Sequence, residues 1–90
     1  MSVLVNVPAV LRQLTGGKKK VEVHADNIEG VIEQLEINYP GIKTRLVNEE
    51  RLHRFINIYI NDEDVRFSDE LKTVVKPGDE ITILPAVAGG

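Results

Sequence analysis

The carboxyl-terminal stretch of the chain reads Glu80-Ile81-Thr82-Ile83-Leu84-Pro85-Ala86-Val87-Ala88-Gly89-Gly90. Ile81 and Ile83 alternate with Glu80, Thr82 and Leu84, the period of two of a strand with one buried face. Lys76-Pro77-Gly78-Asp79 ahead of it is a tight turn, because proline fixes φ and glycine tolerates a positive φ. At the other end of the chain, Val3, Val5 and Val7 alternate with Leu4 and Asn6 in another β-branched strand. Two strongly apolar strands at opposite ends of a short chain fit side by side and parallel in the centre of one sheet. That placement decides the fold.

The elements between them complete the sheet and cover it. Pro8 ends the first strand, and Val10, Leu11 and Leu14 recur at helical spacing, predicting a short helix over residues 8–14 that Thr15-Gly16-Gly17 stops. Lys18-Lys19-Lys20 leads into the alternating strand Val21-Glu22-Val23-His24 and reads as solvated edge-strand charge. Asp26 with Glu29 predicts a capping box at the start of the main helix, about residues 27–38. Ile28, Val31, Ile32 and Leu35 form its apolar stripe, and Glu29, Glu33 and Glu36 its wet side. Tyr39-Pro40-Gly41 stops it. Ile42, Leu46 and Val47 suit a helical turn, and Asn48-Glu49-Glu50-Arg51 an exposed loop. Phe55-Ile56-Asn57-Ile58-Tyr59-Ile60 is a strand with its isoleucines on one face. Asn61-Asp62-Glu63-Asp64 then reads as a turn, Val65-Arg66-Phe67 as a short strand and Ser68-Asp69-Glu70-Leu71 as a capped turn. The order predicts an α+β fold: a mixed four- to five-stranded sheet with one main helix across a face, and a flexible C-terminal tail. That is the ubiquitin-like β-grasp, with a domain over 1–84 and a tail over 85–90.

Composition narrows the function classes. The 90 residues carry 14 acids and 11 bases, a formal charge of −3, which argues against a nucleic-acid binder. A chain this short buries roughly 60–65% of its unfolded surface and has little room for a deep catalytic cavity. The absence of cysteine excludes disulfides, iron–sulfur clusters, thiolate metal sites and a side-chain persulfide. No apolar run approaches the ~20 residues of a membrane span, and the N-terminus lacks a basic n-region, so the expected compartment is the cytoplasm. His24 and His53 stand alone, without the convergent groups a metal or acid–base site needs. Counted from Asp62 as a calcium loop, the required glycine and glutamate positions hold Phe67 and Thr73. Ser2 and Ser68 have no evident base, and Gly16-Gly17 belongs to no phosphate-binding motif. The expectation is no metal site, no bound cofactor and no enzyme activity of the chain's own.

Gly89-Gly90 is the remaining chemical feature. A C-terminal carboxylate can be activated as an acyl-adenylate, but only if an enzyme draws it through a narrow channel to the α-phosphate of ATP. Glycine, lacking Cβ, fits where other residues clash. The residues Pro85, Ala86, Val87, Ala88 and Gly89 would lie in that channel, with Gly90 at the reacting end. Extended at ~3.3 Å each, the six residues 85–90 reach about 20 Å. Leu4, Asn57, Tyr59, Thr82 and Leu84 share the sheet face opposite the isoleucines and valines, and are the expected docking residues for partners.

With these marks the chain resembles the ubiquitin-like sulfur-carrier (MoaD/ThiS-like) family, over nearly all its length. Residues 52–67, from Leu52-His53-Arg54-Phe55 to Asp64-Val65-Arg66-Phe67, and 83–90 resemble the actinobacterial carriers used in cysteine synthesis. The segment 42–54 fits that subgroup better than the shorter thiazole carriers. The resemblance implies that an E1-like enzyme adenylates Gly90 and that a sulfur donor converts it to a thiocarboxylate. It further implies that this sulfur attacks an aminoacrylate on a pyridoxal-phosphate cysteine synthase, and that a JAMM-type zinc peptidase releases the cysteine. ATP, pyridoxal phosphate and zinc then belong to the partners. A monomer with transient complexes is expected. The alternatives are sulfur donation to molybdopterin or thiamine thiazole synthesis, a protein modifier joined to lysines through Gly90, and an interaction domain with an inert tail.

Overall fold

The computed structural model describes residues 2–48, 51–52, 56–65 and 69–85. Along them run β1 (Val3–Asn6), a 3-10 helix (Ala9–Thr15), β2 (Lys20–Val23), α1 (Ile28–Asn38) and α2 (Lys43–Leu46). Then follow β3 (Val47–Asn48), β4 (Arg51–Leu52), β5 (Ile56–Ile60), β6 (Glu63–Asp64), a second 3-10 helix (Glu70–Lys72) and β7 (Glu80–Pro85). Five strands form one mixed sheet in the order β2-β1-β7-β5-β6. β1 and β7 are parallel neighbours at its centre, with Val5 opposite Ile81, while the other pairs are antiparallel. This is the ubiquitin-like β-grasp.

The core lies between the inner sheet face and α1. Val3, Val5, Val21, Val23, Ile56, Ile58, Ile81 and Ile83 meet Ile28, Val31, Ile32 and Leu35 of the helix stripe. Ile42, Leu46 and Leu71 close its sides. Ile60 is only partly buried at the edge of this cluster. Burial at ~25 cal/mol per Å² of apolar surface makes this layer the main source of stability.

Several local expectations are corrected. The first helix is the tighter 3-10 form and runs one residue further, through Thr15. Leu11 and Leu14, three apart, suit a threefold helix that turns both toward the core, whereas Val10 faces solvent. Gly16, at φ +66°, ends it by donating with the following turn back to the helix carbonyls. Val47–Asn48 and Arg51–Leu52 pair as a second, two-stranded sheet, β3 with β4, at the two ends of the expected loop, whose Glu49 and Glu50 lie outside the described residues. Within the turn expected over 61–64, Glu63–Asp64 form a short strand, because Ile60 pairs with Glu63 directly across a two-residue turn; Arg66 and Phe67 of the strand expected over 65–67 lie outside the described residues. Asn61 makes that turn in the left-handed region, φ +58°. Its side-chain oxygen accepts from Glu80 N (3.1 Å) and its amide donates to Asp79 (3.3 Å), tying the hairpin to the start of β7. The Lys76–Asp79 turn forms as expected: Asp79 N donates to Lys76 O (3.0 Å), and Gly78 stands at φ +89°.

The helix cap also moves. Asn27, not Asp26, is the N-cap of α1, and its Oδ1 accepts from Gly30 N at 2.7 Å. Asp26 is committed to the neighbouring segment, where its carbonyl accepts from Val75 N (2.9 Å). A Cβ at position 30 would stand 3.2 Å from both Asn27 Oδ1 and Ala25 Cβ, so the cap and the glycine are matched. Asn27→Ala is therefore expected to lower unfolding stability by about 1 kcal/mol. Asp26→Ala should change it by less than ~0.5 kcal/mol, as at an ordinary surface position. Urea denaturation of the two variants distinguishes the caps.

Glu36, on the last turns of α1, staples the link to α2. Its carboxylate accepts from Gly41 N (3.1 Å) and Lys43 N (2.9 Å). The Lys43 and Gly41 amides hold its pKa below the usual glutamate value. A carboxyl whose folded pKa lies below its unfolded value stabilises fully above the unfolded value, and that contribution fades as pH falls through the folded one. Stability should thus drop on the acid side of about pH 4.3, the ordinary glutamate value. Glu36→Gln is expected to flatten that part of the profile, as measured by urea midpoints across pH.

Candidate functional site

The outer sheet face is organised by strand register. Along every central strand, the residues between the buried isoleucines and valines point away from α1. Pairing arranges them in rows. Glu22, Leu4 and Glu80 form one row across β2, β1 and β7. Lys20, Asn6, Thr82, Tyr59 and Asp64 form the next, spanning all five strands. Leu84 and Asn57 form the third.

The five expected docking residues are all on this face, but they are not one apolar cluster. Leu84 is the large apolar residue most open to solvent here, 46% exposed, with Tyr59 diagonally adjacent and half-buried. Leu4 lies two rows away, beyond the hydrogen bond that Asn6 Nδ2 donates to Thr82 Oγ1 (3.1 Å). Sequence reasoning missed Asn6, Glu80 and Asp64 on this face. Asn6 and Glu80 were reachable from alternation alone, since Asn6 shares the parity of Leu4, and Glu80 that of Thr82. Asp64 required the hairpin register. Charge grades across the central row, from Lys20 at the β2 edge to Asp64 at the β6 edge.

β7 carries the chain off this face. It runs one residue further than expected, through Pro85, which pairs with Ile56. Proline is tolerated there because a strand's last residue can forgo its ladder donor. Leu84 therefore immediately precedes the point from which residues 86–90 continue. Ala86, Val87, Ala88, Gly89 and Gly90 lie outside the described residues, as do His53, Phe67 and Ser68. His24 is exposed after β2. Among the described residues, no group of three His, Cys, Asp or Glu could hold a metal ion. No described helix is long and apolar enough to cross a membrane.

The chain is similar to characterised proteins along its whole length. A sulfur carrier protein CysO of Mycobacterium tuberculosis is 54% identical over 93 aligned residues, covering 100% of both chains. The solved CysO of Amycolatopsis orientalis, in its complex with BexX, is 57% identical with a TM-score of 0.94, covering 98% of this chain and 99% of that one. The small archaeal modifier protein 1 of Methanosarcina acetivorans is 32% identical with a TM-score of 0.83, covering 99% and 96%. The profile of the ThiS family matches residues 5–90, from the middle of β1 through the terminal Gly89-Gly90. With the family model matched over almost the whole chain and relatives more than half identical along its length, the chain belongs to the ThiS family.

Proposed function

We propose that this chain is a sulfur carrier for cysteine biosynthesis, loaded at the carboxyl group of Gly90. The observation that carries the reading is the full-length likeness to CysO, together with a ThiS-family match that extends through Gly90 in a chain without cysteine. With no thiol on any side chain, the terminal carboxyl is the group able to carry transferable sulfur.

The chemistry balances in two steps on an E1-like partner. The Gly90 carboxylate attacks the α-phosphate of ATP, giving the acyl-adenylate and pyrophosphate. A sulfide-level donor then adds to the acyl carbon and expels AMP, leaving the thiocarboxylate. This sulfur, ionised near neutral pH, would add to an aminoacrylate supplied by a partner synthase that uses pyridoxal phosphate, giving a thioester of Gly90. An S-to-N acyl shift would turn it into an amide, and a zinc peptidase of the JAMM type would hydrolyse that amide with water, returning free cysteine and the Gly90 carboxylate. ATP, pyridoxal phosphate and zinc belong to those enzymes. The chain itself supplies the nucleophile, a thin approach segment and a handle, and works in the cytoplasm as a monomer in transient complexes. Pro85 is anchored in β7, so residues 86–90 set the reach, about 16 Å at ~3.3 Å per residue.

The handle is the outer face beside the β7 exit. Tyr59→Ala or Leu84→Asp is expected to slow thiocarboxylate formation by the cognate activating enzyme about tenfold, as loss of an interface anchor does. Neither should shift the melting temperature by more than a few degrees, since both side chains lie outside the core. Wild-type rates for both variants would remove this patch from the docking surface.

The 32% identity to a small archaeal modifier protein favours one second reading, in which the activated Gly90 joins lysines of target proteins. Blots of native cells against a tagged chain separate the two: a carrier runs as one species, whereas a modifier gives a ladder that disappears with Gly90.

A further inference from the structure

On the helix side of the molecule, α1, α2, β3 and the second 3-10 helix enclose a pocket of about 150 Å³, lined by Glu29, Ile32, Glu33, Lys43, Val47 and Leu71. Small-molecule and cofactor sites occupy ~300–1,000 Å³. This pocket is below that range and has room for a single long side chain. Its floor is apolar: Ile32 and Leu71 are buried, and Val47 is packed against the core. Its rim is acidic. Glu29 and Glu33 are both exposed and stand one helical turn apart on α1. Glu33 takes the ammonium of Lys43, while Glu29 has no ion pair or hydrogen-bond partner among the described residues. The hydrogen bond that the Lys43 ammonium donates to Glu33, with the fields of Glu33, Glu36 and Glu29, holds the Lys43 pKa above the ordinary lysine value. Two carboxylates, Glu29 and Glu33, thus line this rim with one ammonium, Lys43, and the charge of the lining is net negative.

We propose that this pocket anchors an arginine side chain of a partner protein. The aliphatic stem covers Ile32, Val47 and Leu71, and the guanidinium remains at the wet rim. A planar fork can span Glu29 and Glu33 together, which the point charge of a lysine cannot do with the same geometry. Lys43 is the internal precedent, a cation already drawn to this edge by the chain itself. The pocket lies on the opposite layer from Tyr59, Thr82 and Leu84, so its occupant leaves the face beside the β7 exit open. The inference does not depend on the chemistry at Gly90.

The test is an NMR titration of the full-length, nitrogen-15-labelled protein with N-acetyl-arginine methylamide, using the uncharged citrulline analogue as control. Arginine should shift the amides of Glu29, Ile32, Glu33, Lys43, Val47 and Leu71 and leave those of Tyr59, Thr82 and Leu84 in place. The exposed substitution Glu29→Gln should weaken binding about two- to fivefold, the size of one solvent-exposed ion pair. Lys43→Met, which removes the competing cation, should tighten it. Equal binding of citrulline, shifts centred on the acidic Asp62–Asp64 turn, or no shifts at all would overturn the proposal. Because sulfur loading is assayed separately, none of those results bears on the carrier reading.

Discussion

Deleting Gly90 is expected to abolish thiocarboxylate formation while leaving the folded domain intact. The reacting carboxyl must reach the α-phosphate of ATP inside a partner, and β7 holds the other end of the approach segment at Pro85. Removing one residue withdraws the carboxyl by about 3.3 Å. A misplacement of only ~1 Å can cost a factor of ~10² in rate, so a loss of at least that size is predicted. Gly89→Val tests the other half of the requirement, because it keeps the length but adds bulk where the channel accepts backbone alone. Among the described residues the core cluster ends at Ile83, so neither change is expected to alter the melting temperature measurably. Single-turnover loading assays with the cognate activating enzyme measure the rates. Loading of the deletion variant within twofold of wild type would mean that the carboxyl of Gly90 is not the reacting group.

Leu35→Ala is expected to have the largest effect on stability. Leu35 is fully buried on the core stripe of α1, among Ile28, Val31, Ile32 and the inner sheet face. Truncating a leucine in such a site costs about 2–5 kcal/mol, from lost transfer energy and the cavity left behind. A domain of this size has on the order of 5–13 kcal/mol in total, so the variant sits near the edge of folding. Its melting temperature should fall by roughly 8–40 °C, at ~4–8 °C per kcal/mol. Ile37→Ala, two residues along the same helix but 69% exposed, should cost less than about 0.5 kcal/mol. The contrast separates burial from helix propensity, since both substitutions leave alanine in α1. Equal losses would show that α1 does not pack as described.

The elements that were legible in the sequence are those with a period. The valines of β1, the isoleucines of β5 and β7, and the Ile28-Val31-Ile32-Leu35 stripe each recur at the spacing of their secondary structure, and all face the core. The parallel pairing of the two end strands followed from their shared apolarity. The misses lack that signal. β3, β4 and β6 have two residues each, too few to show alternation. Asp26 has the chemistry of a cap, but its backbone is taken by Val75, a contact between distant parts of the chain. The outer face was only half legible for the same reason. Alternation gives the face a side chain occupies, whereas the strand register gives its row, and register put Asn6 and Thr82 between Leu4 and Leu84. The pocket beside Glu29 depends on how α2, β3 and the second 3-10 helix close around α1, which no local pattern encodes.

The most direct measurement of the central claim is the intact mass of the chain isolated from its native cells, with fragmentation to locate any change. The carrier reading predicts a population heavier by the exchange of one oxygen for one sulfur, confined to the carboxyl group of Gly90 and shifted further by the mass of an alkyl group when the thiocarboxylate is alkylated to its thioester. A chain recovered only with an unmodified carboxylate in cells that are actively making cysteine through a carrier, or with its added mass on any other residue, would contradict it.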